Sequence, residues 1–199
     1  MVNKNLYEKY MKIFLDENSK VNLISKNDEK YLWEKHIFDS LAFEKFYEKY
    51  LKNEEKDIQL LDIGTGGGFP AIPIAITYPE IKVTALDSIG KKIRAVETIV
   101  QKLGLKNLYP LCMRVEKLDK KFDVITSRAV SSLKNICEYA LPKLEKGGYF
   151  VAYKSRKTPE EIEEATSVLK NFNAKIIDII EYELPLEEKL TRNLIIINK

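Results

Sequence analysis

The segment Asp62-Ile63-Gly64-Thr65-Gly66-Gly67-Gly68-Phe69-Pro70 constrains this 199-residue chain more than any other, because it sets three alternating glycines directly after the apolar run 58–63. Between a strand and a helix, backbone without side chains lets a ligand approach the peptide amides closely, which is where parallel α/β sheets hold nucleotide-type cofactors. The dinucleotide fingerprint GxGxxG fails here, since the frame from Gly64 meets Phe69 and the frame from Gly66 meets Ala71. A phosphate-binding P-loop is also excluded, because no Gly-Lys-Ser/Thr follows. Asp87 stands 23 positions after Gly64, near the ~20-residue spacing at which a carboxylate accepts hydrogen bonds from ribose hydroxyls. The structural alternatives are a tight turn at the glycines and an Asp87 that caps the next helix.

Around this loop the chain alternates. Apolar runs at 58–63, 82–87, 107–113, 122–127 and 149–154 predict strands, separated by helices to about Tyr78, over 90–103 and over 132–144. An acidic helix at 159–170 follows, then strands at 174–184 and 193–198 with no helix between them. The pattern predicts an α/β, Rossmann-like doubly wound sheet, mostly parallel, whose last strand runs antiparallel. Residues 5–17 and 28–51 place aromatic and aliphatic side chains at helical spacing. They predict a helical N-terminal extension (1–51), joined through the charged stretch 52–57 to the sheet domain at 58–199.

The net charge is only +3, from 33 basic against 30 acidic residues, so distribution matters more than the sum. Ligands of a doubly wound sheet sit at the carboxyl ends of the parallel strands. Lys91, Lys92, Arg114, Arg128, Lys154, Arg156 and Lys157 all end or follow such strands, and Arg192 begins the antiparallel one. The acidic helix is expected to lie on a face, leaving a basic edge suited to phosphates. Arg114 and Arg128 follow apolar strands, and their guanidinium groups are expected to start near the core and reach into the site. A surface charge or a structural ion pair is the plainer reading of each cation. Cys112 and Cys137 match no metal-ligand spacing and are expected to be reduced core thiols, with no metal site. The apolar runs are too short for a membrane span or signal peptide, and a cytoplasmic, monomeric protein is expected.

The D-x-G-x-G-x-G loop resembles motif I of class I methyltransferases. The run LLDIGTGGGFPAIPIAI, with LDSIGKKIRAVE, RVE at 114–116, SRAV at 127–130, Lys154, Arg192, and VNLIS followed by HIFDSL, resembles the RsmG/GidB family over roughly residues 20–199. One departure is Gly67, where that family often has proline. The loop reading makes Asp62, Gly64, Gly66 and Gly68 candidate cofactor contacts, and the resemblance implies S-adenosylmethionine as that cofactor, touching Gly64, Phe69, Val115, Glu116 and Arg128, with Asp87 near the ribose. It implies methylation of N7 of the guanine conventionally numbered 527, in 16S rRNA or the 30S subunit, with Arg114, Arg128, Lys154 and Arg192 serving the reaction. His36 and Asp39 share one helix face in the N-terminal motif, and a packed structural role is expected for His36. Phe69 and Tyr153 are either stacking surfaces for a base or core side chains. A small-molecule or protein methyltransferase and a non-catalytic rRNA-binding assembly factor are the competing functions.

Overall fold

The computed structural model describes residues 4–54, 57–155 and 158–199. Arg156, Lys157 and part of the charged stretch 52–57 lie outside them. Seven strands form one sheet: β1 (Gln59–Ile63), β2 (Lys82–Asp87), β3 (Leu108–Cys112), β4 (Phe122–Arg128), β5 (Leu144–Lys154), β6 (Lys175–Leu184) and β7 (Leu190–Asn198), in the order β3-β2-β1-β4-β5-β7-β6. Strands β1 to β5 pair in parallel, and β7 pairs antiparallel with both β5 and β6. This is the doubly wound sheet with an antiparallel last strand that the alternation predicts. Strand β5 begins before Gly147 and Gly148 rather than after them, because the β4–β5 register shifts between Phe122 and Val124 and absorbs the glycines within the strand.

Period-two alternation sorts the strands' side chains onto two faces. Leu60, Val83, Val124, Val151 and Ile196 bury on one, against α4 (Ala71–Thr77) and α5 (Gly90–Leu103). Leu61, Leu86, Ile125, Phe150 and Ile197 bury on the other, against α6 (Leu133–Ala140) and α7 (Thr158–Asn171). Cys137 is buried in this second layer, but Cys112 is exposed, contrary to the core role expected of both thiols. It ends β3, the sheet's edge strand, where one flank has no neighbouring strand to cover it.

The N-terminal helices join the first layer. Helix α1 (Lys4–Val21) presents Tyr7, Tyr10 and Phe14 at three- and four-residue steps, all fully buried, in the same cluster as Leu60 and Val83. The Tyr7 hydroxyl donates to the Pro73 carbonyl at 3.0 Å. The single helix expected over 28–51 is a series of short pieces: a 3₁₀ turn at Lys26–Tyr31, a π-helical turn at Leu32–Ile37, α2 (Phe38–Leu41) and α3 (Phe43–Tyr50). Helical spacing of apolar residues survives these changes of pitch, so the sequence pattern does not register them.

Phe14 links helix α1 to the glycine loop, with its ring centroid 5.1 Å from that of Phe69. Phe14→Ala is predicted to cost about 3–5 kcal/mol of unfolding free energy. Trp33, the one tryptophan, reports on the N-terminal segment, so urea unfolding followed by its fluorescence and by far-ultraviolet circular dichroism should give coincident transitions. An earlier fluorescence transition would show that the N-terminal helices open independently of the sheet.

Candidate active site

The glycine loop leaves β1 and turns through left-handed backbone at Gly64 (φ +72°) and Gly66 (φ +58°). Gly64 is packed from behind, where Val130 Cγ2 occupies the space a Cβ would need. Gly66 is different: the nearest atom to an added Cβ is Gly64 O at 3.9 Å, so its backbone faces open space. Asp87 closes the loop from β2. One carboxylate oxygen accepts from Gly66 N and the other from Ile89 N at the start of α5, both at 2.9 Å. The Ile89 bond is a local turn two residues on, made to the N-cap residue's own amide, and α5 has no side-chain cap, so the capping alternative raised for Asp87 is not met. A carboxylate has about four acceptor sites, so two bonds leave capacity for a diol.

The loop borders a cavity of about 420 Å³. Gly64, Gly66, Phe69, Asp87, Arg114, Val115, Glu116 and Arg128 line it together, as do Lys92, Met113 and Val130. Asp62 and Gly68 stand behind the wall. Asp62 is fully buried, with Thr126 Oγ1 donating to it at 3.0 Å, and burial pushes its carboxyl up to about 7. The Thr65 and Thr126 hydroxyls and the Ala71 backbone amide face this carboxyl and offset part of that rise. Arg114 is exposed, in contrast to the near-core start expected for its guanidinium. It follows the edge strand β3 in extended backbone (φ −76°, ψ 137°) rather than a covered one.

A second cavity, of about 510 Å³, holds Lys154 and Arg192 and shares His36, Arg128 and Ala129 with the first. Lys154 forms an ion pair with Glu161 at 2.6 Å and donates to Ser131 O at 2.7 Å. Helix α7, expected to lie on a face, thus sends one carboxylate to the basic edge. Arg192 makes a single 3.2 Å bond to its neighbour's carbonyl, and no ion pair to it is present among the described residues. Lys91 is exposed. Phe69 and Tyr153 are core side chains rather than stacking platforms, at 3% and 5% exposure, and the Tyr153 hydroxyl donates to Ser40 O at 2.9 Å.

Arg128 forms the wall between the cavities. Its Nη1 donates to Asp39 Oδ2 at 2.8 Å and to Lys35 O at 3.2 Å, and its Nη2 lies 3.0 Å from His36 Nδ1. The guanidinium also sits 5.1 Å from the centre of the Phe69 ring. Tyr182 of β6 donates to the other Asp39 oxygen at 2.6 Å. The sequence pairs His36 with Asp39 on one helix but carries no sign of Tyr182 as a partner. It also carries no sign of Ala129, which adopts a left-handed φ of +56° at the shared wall.

Sheet order, loop position and the Asp87 contact define a class I S-adenosylmethionine-dependent methyltransferase. The open cradle at Gly66, with a carboxylate beside it, fits that cofactor. Solved structures agree on the fold: a SAM-dependent methyltransferase from Aquifex aeolicus matches with a TM-score of 0.61 at 20% identity, over 89% of this chain and 97% of that one. M. jannaschii TYW2, solved in complex with AdoMet, matches with a TM-score of 0.59 at 16% identity, over 80% and 76% of the two chains. The sequence family is narrower. The GidB family, described as rRNA small subunit methyltransferase G, matches residues 3–184, and the chain belongs to it. Relatives named ribosomal RNA small subunit methyltransferase G include one from Staphylococcus epidermidis, 37% identical over 98% of this chain and 82% of its own length. Another, from Lachnoclostridium phytofermentans, is 38% identical over 97% and 80%.

Burial, reinforced by the Arg128 charge, lowers the His36 pKa to about 4, so the imidazole is neutral at pH 7. As pH falls from about 6.5 the unfolded chain takes up this proton first and His36 costs stability, whereas the raised Asp62 acts with the opposite sign. Total stability therefore mixes the two. His36 is the chain's one histidine, and its ¹⁵N resonances should titrate with a midpoint near 4. A midpoint near 6.5 would mean that the ring is solvated and that the packing around Arg128 is wrong.

Proposed function

We propose that the chain transfers the methyl group of S-adenosylmethionine to N7 of the guanine conventionally numbered 527 in 16S rRNA, presented on the 30S subunit or its RNA. The observation that carries this reading is the pair of adjoining cavities. One is formed by the glycine loop, the other carries Lys154 and Arg192, and they meet at His36, Arg128 and Ala129. A cofactor in the first and an RNA segment in the second would bring methyl donor and acceptor together at that wall. One chain builds both cavities, so a monomer suffices.

Bound S-adenosylmethionine supplies a methyl carbon made electrophilic by its sulfonium. Guanine N7 offers an unprotonated lone pair, so the protein needs no general base, and its task is to align three atoms and exclude alternatives. Strand β4 ends in Ser127-Arg128-Ala129, where amine methylases of this fold class carry an Asn/Asp-Pro-Pro-Tyr motif. That absence favours a ring nitrogen over an exocyclic amine. Arginine's common guanine contact takes O6 and N7 together, which would block the reaction. In this reading Lys154 and Arg192 meet phosphates, Arg114 in the first cavity helps order the cofactor carboxylate, and Arg128 shapes the wall.

Asp87→Ala should weaken binding of S-adenosylmethionine by about 1–3 kcal/mol in calorimetry. Arg192→Ala should leave that affinity unchanged and lower the salt slope of RNA binding by about one unit. Lys154→Ala should do the same but also lose some stability, because Glu161 keeps only its bond from Leu133 N. The function itself is tested by methyl transfer from labelled cofactor to 30S particles and to protein-free 16S rRNA, with the modified nucleotide mapped. Label in guanine N7 at position 527 is expected. Label in a small molecule or protein instead would favour a different methyltransferase, and no transfer at all would leave an rRNA-binding assembly factor.

A further inference from the structure

His36 has a defined protonation pattern. Arginine only donates, so the 3.0 Å contact from Arg128 Nη2 requires His36 Nδ1 to be an acceptor without a proton. A neutral imidazole then carries its hydrogen on Nε2. That nitrogen is buried and, among the described residues, has no hydrogen-bond partner. A stranded donor is a free-energy cost in a folded protein unless a partner arrives. The ring belongs to the wall shared by the two cavities, where the proposed methyl donor and acceptor meet.

Arg128 is poorly placed to read the base, because both Nη1 hydrogens go to Lys35 O and Asp39 and Nη2 is turned to His36. A single neutral donor suits the chemistry better. Guanine presents O6 and N7 side by side as acceptors, and N7 must stay free. One N–H can hold O6 and leave N7 open, whereas a forked guanidinium would take both. Charge favours the same choice. Methyl transfer leaves positive charge on the purine, and an imidazole that stays neutral at pH 7 does not repel it.

We propose that His36 recognises the target base by donating its Nε2–H to guanine O6, with Arg128 and Asp39 as positioning residues that fix the imidazole tautomer. This inference rests on the guanine N7 reading above. Tyr182, which donates to Asp39 from β6, completes the support.

The test uses small-subunit particles reconstituted with rRNA carrying either guanine or 2-aminopurine at the target position, the latter lacking O6. Single-turnover methylation by the parent protein should prefer guanine, and in His36→Phe that preference should shrink by about 10-fold or more, the scale of one lost base contact. His36→Gln, which keeps an N–H donor, should recover part of it; the preference is a ratio within one variant, so a change in cofactor affinity cancels from it. An equal preference in parent and His36→Phe would overturn the inference and leave the N7 function standing. No transfer to guanine by the parent would overturn both. Should the variants fail to fold, the parent's one histidine still decides. With demethylated cofactor bound, its Nε2–H proton resonance should move downfield on adding the guanine particle and not the 2-aminopurine one. Identical shifts with both would contradict the contact.

Discussion

The ion pair between Arg128 and Asp39 is the contact on which the site's geometry depends. Its partners lie 89 positions apart in sequence, at 14% and 7% side-chain exposure, and they tie helix α2 to the end of β4. Tyr182 adds β6, and Phe69 beneath the guanidinium adds the glycine loop. Burying two charges costs desolvation that their attraction offsets only with good geometry and further hydrogen bonds. Here both Asp39 oxygens and both terminal Arg128 nitrogens are bonded. Such a pair contributes position more than net stability. It holds the N-terminal helices at one place against the sheet's carboxyl edge, and the wall between the two cavities is the result.

That wall gives the chain a division of labour. On one side the glycine loop offers open backbone at Gly66, with the Asp87 carboxylate fixed by Gly66 N and Ile89 N. On the other, Arg192 has donors to spare, while Lys154 is partly neutralised by Glu161. The basic edge is therefore uneven: Lys35, Arg128 and Lys154 in the second cavity are each paired with a carboxylate, and Arg192 is the cation there with no ion pair among the described residues. Neutral His36 and the committed Arg128 keep free positive charge away from the junction, where the purine would acquire its own.

Much of the fold was legible because strand and helix periodicities report which faces are buried. The loop at Gly64–Gly68, Asp87, the neighbouring positions of β1 and β4 and the antiparallel β7 all follow from local pattern plus topological rules. What periodicity does not report is the partner across a gap. Nothing in the spacing of Tyr182 or Ser40 predicts that they meet Asp39 and Tyr153 across the sheet. The same limit explains 28–51, where aromatic spacing continues through a π-helical turn, and Cys112, whose exposure follows from β3 being an edge strand. Lys154 reads as a free strand-end cation until α7 is folded against it and Glu161 arrives.

The coupling between Arg128 and Asp39 can be measured with a double-mutant cycle on Arg128→Met and Asp39→Leu, read as unfolding free energy. Each single substitution leaves an uncompensated buried charge and should cost about 3–5 kcal/mol. The double substitution removes both charges and should cost no more than either alone. If the two single costs simply add, each side chain acts independently, and the account of the site as organised around this pair is contradicted.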